Sequence, residues 1–304
     1  LEWQVGYVIK ICFNKVASGF DAMTTNTASG ANVAIGYESR KADNNTSEAS
    51  HFNTAVGTQS GKSLTTGESN NLIGGLAGDA LTTGSYNTAI GVTALGADTQ
   101  GSRAIAIGHG ALFLQNFTSA TNNYNVAIGH NAGLNVTTGI NNTIIGGLAG
   151  DAITTGGSNV AFGTYALSAN TTAFYNTALG FSAMEANTTG ANNAAVGWSA
   201  LKTNTTGGSN TAIGNGALQL NTTAHDNTAV GKNALYANTT GANNVAVGLN
   251  AGESNTTGQQ NVVVGALANT AASDGDGANV FGYSVSGAAG YTTLGKVNDD
   301  IRAA

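Results

Sequence analysis

The pentapeptide Asn-Thr-Ala-Val-Gly at residues 227–231 returns 17 residues later as Asn-Val-Ala-Val-Gly at residues 244–248. Its closing glycine marks a period along almost the whole chain. Thirteen of the fifteen gaps are 17 residues long, and the other two, Gly36 to Gly57 and Gly108 to Gly129, are 21. Such a period is typical of a solenoid, in which each repeat contacts only its neighbours. We call these residues the marker glycines: Gly19, Gly36, Gly57, Gly74, Gly91, Gly108, Gly129, Gly146, Gly163, Gly180, Gly197, Gly214, Gly231, Gly248, Gly265 and Gly282.

The residues before each marker glycine alternate in character, which predicts a short β-strand. The residue directly before the glycine is large and apolar from Gly36 onward, and the residue two before it is usually alanine. We expect stacked coils, ~4.8 Å apart, to place the large apolar residues inside and asparagine on asparagine at a corner. Asparagine stands four residues before the glycine in most coils: Asn32, Asn53, Asn70, Asn87, Asn125, Asn142, Asn159, Asn176, Asn193, Asn210, Asn227, Asn244 and Asn261.

The second half of each coil carries its own pattern. Alanine stands three residues after the marker glycine in most coils and is often followed by leucine, as in Ala200-Leu201, which predicts a second short strand. A turn follows, most clearly Asn-Thr-Thr-Gly at 187–190, 204–207, 238–241 and 255–258. Asparagine and glycine accept the left-handed backbone angles that tight turns need. The pattern therefore predicts two short strands and two turns per coil.

Composition agrees with an all-β parallel β-solenoid, or β-roll, of about sixteen 17-residue coils. The 304 residues include no proline, which cannot donate to a ladder of hydrogen bonds. The net charge of −6 argues against nucleic acid or an anionic membrane as a partner. We divide the chain into a connector with a predicted strand at 1–14, a repeat shaft or head at 15–282, and a degenerate last coil with the C-terminal segment at 283–304. The thin core favours lateral association.

These coils resemble the head repeats of trimeric autotransporter adhesins, whose short unit carries an Asn-x-Val-Ala-Ile-Gly strand. Asn125-Val-Ala-Ile-Gly129 and Asn244-Val-Ala-Val-Gly248 are close matches, and the resemblance covers about residues 15–295. It implies a left-handed parallel β-roll that assembles as a homotrimer. The present coil is longer than the adhesin unit and carries an additional Ala-Leu-x-x-Asn-Thr-Thr-Gly half.

The longer coil is similar to repeats in the tail fibres of tailed bacteriophages. The closing segment Gly290-Tyr-Thr-Thr-Leu-Gly-Lys-Val-Asn-Asp-Asp-Ile-Arg302 resembles the stretch that precedes a self-cleaving intramolecular chaperone on many phage fibres. In that family the chaperone leaves after trimerisation, so a chain ending near Ala304 is expected to be a mature product. The resemblance implies a virion tail fibre that contacts other tail proteins and binds a bacterial surface glycan or outer-membrane protein.

The sequence lacks the motifs of common enzymes, including the Gly-x-Ser-x-Gly nucleophile elbow and the P-loop. We therefore expect no catalytic residue, no cofactor and no insertion into a membrane. His109 and His130 each follow a marker glycine in consecutive coils, so one should lie above the other. Two histidines are a weak indication of a metal site, which needs convergent ligands and further support, so surface stacking is the favoured interpretation.

The two 21-residue coils supply the candidates for receptor binding, because insertions in a solenoid form loops on one face. The first coil has an unusual density of charge, and its candidates are Arg40, Lys41, Glu48 and His51. The second coil carries the aromatic candidates Phe113, Phe117 and Tyr124. Exposed aromatic rings suit stacking on carbohydrate, but the same rings would also fill gaps between chains. Phe181 and Trp198, at equivalent positions of adjacent coils, allow the same two interpretations.

The favoured function is a non-enzymatic structural and receptor-binding fibre of a phage tail. The alternative is the head of a bacterial trimeric autotransporter adhesin on the cell surface, and only the closing segment favours the phage. An ice-binding solenoid would need Thr-x-Thr rather than the adjacent threonines present here. A glycan-degrading enzyme would need paired carboxylates, whereas acidic residues in this chain are scarce and scattered.

Overall fold

The computed structural model describes residues 14–25, 30–43 and 50–296, together with the backbone of 301–303. These residues form strands and turns, with no helix among them. The chain divides into two compact units, Leu1–Thr155 and Gly156–Ala304. Each unit is a parallel β-solenoid, and the two hold about 16 coils between them, as the period predicts. The strand predicted before residue 14 lies outside the described residues.

In the first unit, each coil contributes one strand to a parallel sheet, and β6 pairs with β8 in a separate two-stranded sheet. The strands are β1 (Lys15–Ser18), β2 (Asn32–Ile35), β3 (Thr54–Val56), β4 (Asn71–Ile73), β5 (Thr88–Ile90), β6 (Gly101–Ser102), β7 (Ile105–Ile107), β8 (Thr121–Asn122), β9 (Val126–Ile128) and β10 (Thr143–Ile145).

The second unit repeats this arrangement, with β18 and β20 as its separate pair and an antiparallel strand, β22, on the end of the sheet. Its strands are β11 (Val160–Phe162), β12 (Thr177–Leu179), β13 (Ala194–Val196), β14 (Thr211–Ile213), β15 (Thr228–Val230), β16 (Val245–Val247), β17 (Val262–Val264), β18 (Asn269–Thr270), β19 (Asn279–Tyr283), β20 (Ser286–Gly287), β21 (Thr292–Lys296) and β22 (Ile301–Ala303).

The register between coils does not depend on coil length. Ile35 pairs with Val56 across the first 21-residue coil, just as Ile73 pairs with Ile90 across a 17-residue coil. Gly282 pairs with Gly295 in the same register, although only 13 residues separate them. Residues are therefore added to or removed from the turns, and the ladder itself is unchanged.

The strands face the opposite way from the sequence-based expectation. The alanine two residues before the marker glycine is fully buried, whereas the larger residue directly before it points outward. In β14, for example, Ala212 is 0 % exposed and Ile213 is 42 % exposed. The expectation of isoleucine and valine ladders inside the core is wrong, because the narrow coil holds alanine at most inner strand positions and a larger residue, such as Leu72 or Ile144, at only a few.

The predicted second strand is absent from most of the described coils; only β18 and β20, which follow Gly265 and Gly282, lie at its position. In the other coils, residues two and four positions after the marker glycine have left-handed backbone angles, as at Ser199 (φ 53°) and Leu201 (φ 51°). An extended strand needs φ near −120°, so these residues form successive turns instead. Their amide groups still bond to the next coil, as Leu201 N does to the carbonyl of Ala217 at 3.0 Å.

Most of the large core residues come from the turns, in two patterns. Some coils place a large side chain four residues after the marker glycine and a polar one seven after it, such as Leu201 with Asn204. Others place glycine first and the large side chain second, as Gly78 with Leu81 and Gly150 with Ile153. The apolar member occupies the inside in either pattern, so each of these coils keeps one large apolar side chain in its turn.

Asparagine ladders run inside both units, as expected. In the first ladder, the backbone N–H of one asparagine donates to the side-chain oxygen of the preceding one, as Asn244 N to Asn227 Oδ1 at 2.9 Å. Its own amide then donates to a turn carbonyl, as Asn244 Nδ2 to Gly258 O at 2.9 Å. A second ladder links the turns of the second unit, as Asn221 Nδ2 to Asn204 Oδ1 at 2.7 Å. These bonds satisfy polar groups that burial would otherwise penalise.

Candidate functional site

The charge-rich first insertion is partly turned inward. Arg40 occupies the position where other coils have leucine, and its side chain is fully buried. Its Nη2 atom lies 3.0 Å from Oδ2 of Asp43, which is also buried. Burial lowers the pKa of the Arg40 guanidinium, and the Asp43 carboxylate opposes that shift. Contrary to the sequence-based expectation, Arg40 offers no charge at the surface.

The charges of Lys41 and Glu38 in this insertion are neutralised by each other and by residues of neighbouring coils. Lys41 Nζ lies 2.7 Å from Glu38 Oε1 and 3.1 Å from Asp21 Oδ2, and Lys62 Nζ lies 2.9 Å from Glu38 Oε2. Hydrogen bonds from Lys41 and Lys62 lower the pKa of Glu38 to about 2. The hydrogen bonds that Lys41 donates to Glu38 and Asp21 raise its own pKa. Lys41 is therefore half-exposed but already paired.

His51, the remaining described candidate of this insertion, does not form a surface cluster with Lys41. His51 is buried, at 7 % exposure. Glu48 lies outside the described residues. The described part of the insertion therefore joins successive coils by ion pairs and presents little free charge to a receptor.

The second insertion contributes to the core as well as to the surface. Phe117 is buried, so it is not available for stacking on a sugar. Phe113 is half-buried beside Gly96, and Tyr124 is exposed. Of the three aromatic candidates, only Tyr124 presents most of its ring to solvent.

A buried chain of polar groups lies beneath Phe117. Asn125 Nδ2 donates to Gln115 Oε1 at 2.8 Å, and Gln115 Nε2 donates to Asp98 Oδ2 at 2.7 Å. Asp98 Oδ1 accepts the backbone N–H groups of Gly101 and Phe117 at 2.9 and 3.1 Å. Burial raises the pKa of Asp98, whereas these hydrogen bonds lower it. The Asp98 carboxylate, at the end of this series of hydrogen bonds, only accepts.

Tyr124 belongs to a row of corner residues that the sequence analysis missed. Arg103 lies over its ring, with Cζ 5.8 Å from the ring centroid, and over the ring of Tyr86 at 5.0 Å. All three residues stand five positions before the glycine of their strand. Alignment on that position shows Phe52, Tyr86, Tyr124 and Tyr175 in one column, so the signal was present in the sequence.

An exposed apolar stripe runs along each unit. It is made by the residue directly before each marker glycine from Gly36 onward and by the residue before Gly295. We call it the outward stripe. Each of its members is exposed or half-exposed. In the first unit it comprises Ile35, Val56, Ile73, Ile90, Ile107, Ile128 and Ile145, and in the second Phe162, Leu179, Val196, Ile213, Val230, Val247, Val264, Phe281 and Leu294.

Aromatic rings flank the outward stripe on the residues that follow the marker glycines. His109 and His130 stack with ring centroids 5.3 Å apart and planes 10° apart, as their spacing predicts. Phe181 and Trp198 are both about half exposed, and Phe181 meets the edge of Tyr165. Among the described residues, no group of three or more His, Cys, Asp and Glu side chains could hold a metal ion. The described chain also contains no helix long and apolar enough to cross a membrane.

No protein-family model matches this chain. Searches of curated proteins and of solved structures likewise find no match.

Proposed function

We propose that the chain is a structural, non-enzymatic fibre of a phage tail that assembles with copies of itself and attaches to a bacterial surface. The observation that carries this proposal is the outward stripe. It places one apolar side chain on the surface in each coil of both units. Extended apolar patches of this kind mark interaction sites on soluble proteins.

The period of the stripe supports a partner with the same repeat. Successive stripe residues are one coil apart, or ~4.8 Å, the spacing of neighbouring strands. A partner that covers every member needs apolar groups at the same spacing along the same length. Another copy of this chain has that period, so we infer that the stripe packs against copies of itself. The resemblance to adhesin heads implies three copies.

Exposed aromatic side chains outside the stripe are the proposed contacts with the bacterial receptor. Tyr124, Phe181 and Trp198 are exposed aromatic residues, and such rings bind sugars by stacking or anchor a protein partner. The proposed receptor is therefore a bacterial surface glycan or an outer-membrane protein.

An antibody against the chain tests this function on natural material. Phage particles and the outer-membrane fraction of the producing bacterium are purified separately and probed by immunoblot and immunogold labelling. The proposal predicts that the chain co-sediments with phage particles, labels their tails and, when covered by antibody, prevents adsorption to host cells. Labelled tails with unimpaired adsorption would contradict the attachment role.

The head of a bacterial adhesin remains the second candidate, because strands such as Asn125-Val-Ala-Ile-Gly129 resemble those of that family. Such a head would use the same outward stripe for trimerisation. Detection of the chain in the outer-membrane fraction alone would favour this candidate over the phage fibre.

A further inference from the structure

Five corner residues of the first unit, including Tyr124, form a column along successive coils. Phe52, Ser69, Tyr86, Arg103 and Tyr124 lie on five consecutive coils, because the strands that follow them pair in register. Each of them has a left-handed backbone, with φ between 51° and 67°. The side chains therefore leave five successive coils from equivalent positions.

One part of this column shows which group fits between two rings. Arg103 lies on the coil between those of Tyr86 and Tyr124, and its guanidinium Cζ is 5.0 and 5.8 Å from their ring centroids. Rings two coils apart are separated by ~9.6 Å, twice the strand spacing. That distance leaves room for one planar group between the rings, with its charge within the ~6 Å reach of cation–π attraction to both. Asn122 Oδ1 holds the guanidinium by accepting from Arg103 Nε at 3.1 Å.

The preceding part of the column repeats this geometry with a short residue in the middle. Phe52 and Tyr86 lie on the coils on either side of Ser69, and both rings are exposed, at 64 % and 48 %. The hydroxymethyl group of Ser69 is too short to fill the space that Arg103 fills two coils further along. We call the space between Phe52 and Tyr86, above Ser69, the corner slot.

A carboxylate lies at the rim of the corner slot. Tyr86 Oη donates to Glu68 Oε1 at 2.8 Å, which raises the pKa of the tyrosine. Glu68 precedes Ser69 directly, so its carboxylate lies beside the slot. No described basic side chain forms an ion pair with it. The slot thus combines two ring faces with one negative charge.

We propose that the corner slot binds a guanidinium group, supplied by an arginine side chain of a protein partner. A guanidinium is planar, stacks on aromatic faces and donates in a fork that matches a carboxylate. An ammonium group is compact and leaves most of the slot empty, whereas the chain itself places a guanidinium between Tyr86 and Tyr124. The proposal stands on this geometry and is independent of the attachment role proposed above.

Saturation-transfer NMR on the full chain tests the slot, with N-acetyl-arginine amide as the probe. N-acetyl-lysine amide and a methyl glucoside serve as comparison ligands. We expect transfer to the Cδ protons of arginine, with a dissociation constant on the order of millimolar, since exposed cation–π contacts are weak. Phe52→Ala should weaken binding about two- to fivefold, because it removes one of the two ring faces.

Ser69→Arg is the decisive variant. The new arginine side chain would fill the corner slot, as Arg103 fills the space between Tyr86 and Tyr124 two coils further along. Arg103 also shows that arginine accepts this backbone conformation. We expect binding of the arginine probe to be lost while the circular dichroism spectrum and melting temperature are maintained. Ser209→Arg is the matched control, because its neighbours in the column, Asn192 and Asp226, carry no ring. It should leave binding unchanged.

Three results would overturn the proposal. Binding that survives Ser69→Arg would place the ligand elsewhere on the chain. Equal binding of the lysine or glucoside probe would show that the site does not select a guanidinium. If Phe52→Ala alters the mass of the assembly in buffer without ligand, the slot is occupied by another copy of this chain and not by a separate partner.

Discussion

Each marker glycine permits the close approach of two successive coils. At Gly129, φ is 141°, and a Cβ atom would lie 2.5 Å from the carbonyl oxygen and 2.7 Å from the carbonyl carbon of Gly146. Both the backbone angle and the space exclude a side chain at this position. The conflict involves backbone atoms of the next coil, so a rotamer change cannot relieve it.

Gly129→Ala is therefore expected to destabilise the first unit by ~2–4 kcal/mol, combining unfavourable φ with a backbone clash. Chemical denaturation measured by circular dichroism gives the free energy of unfolding. Gly147→Ala is the matched control, because a Cβ there meets nothing within 4 Å. Equal stabilities of the two variants would contradict the role given to the marker glycine.

Asp98 shows how one buried residue is selected by the direction of its hydrogen bonds. Asn125 Oδ1 accepts from Asn142 N at 2.9 Å, which fixes the orientation of its amide. Asn125 must then donate to Gln115, and Gln115 must donate to residue 98. A carboxylate accepts all the bonds offered to it, whereas an amide would set its NH₂ group against that of Gln115.

Asp98→Asn is predicted to lower the free energy of unfolding by ~1–3 kcal/mol, the cost of a buried group without its partner. The comparison is Asp226→Asn at an exposed site, expected to change stability by less than about 0.5 kcal/mol. Thermal melts of both variants at neutral pH are sufficient. An Asp98→Asn variant as stable as the parent chain would show that the polar chain can reverse its donors.

At the scale of the coil, stability depends on matching volumes between the strand and the turn. Leu72 stands where most coils have alanine, and the adjacent turn then has glycine at residue 78. A Cβ on Gly78 would lie 2.8 Å from Leu72 Cδ2 and 2.9 Å from Leu81 Cδ1. Several coils with alanine in the strand, such as that of Ala212, carry leucine at this position of the turn, as Leu218 does.

This complementarity predicts a favourable coupling between Leu72→Ala and Gly78→Leu. The first change alone should cost ~2–5 kcal/mol by leaving a cavity, and the second ~1–3 kcal/mol by overpacking. The double variant should be more stable than the sum of the two costs implies, by at least ~1 kcal/mol. Additive effects in a double-mutant cycle of denaturation measurements would show that the two sites do not share space.

The sequence predicted the coils, their phase and the asparagine ladder, because each depends on the repeat alone. It did not predict which strand face is buried. In Ala212-Ile213 both residues are apolar, and hydrophobicity alone would place the larger one in the core. The coil is too narrow for isoleucine at this position, so the smaller alanine is buried instead. It also did not predict that Arg40 is buried, since an arginine beside other charges has the pattern of an exposed loop. The left-handed angles at Ser199 and Leu201 have no signature in residues of these types.

At the scale of the molecule, the two faces of one strand have different tasks. The inner face, with Asn210 and Ala212, holds one chain together through hydrogen bonds and close packing. The outer face, with Ile213, is exposed, and we propose that it associates with other copies of the chain. A chain with polar residues on this outer face would keep the same inner contacts but would lack an apolar surface for association. The proposed fibre therefore depends on the outward stripe.

The mass of the assembled chain in solution, measured by sedimentation velocity, tests this central claim most directly. We predict three times the 30.1 kDa of one chain. The triple variant Leu179→Thr, Ile213→Thr and Val247→Thr, confined to the stripe, should release single chains. A control with serine at the exposed residues Thr189, Thr206 and Thr223 should keep the full mass. Single chains from the parent protein at every concentration, or an assembly indifferent to the stripe variant, would contradict the account.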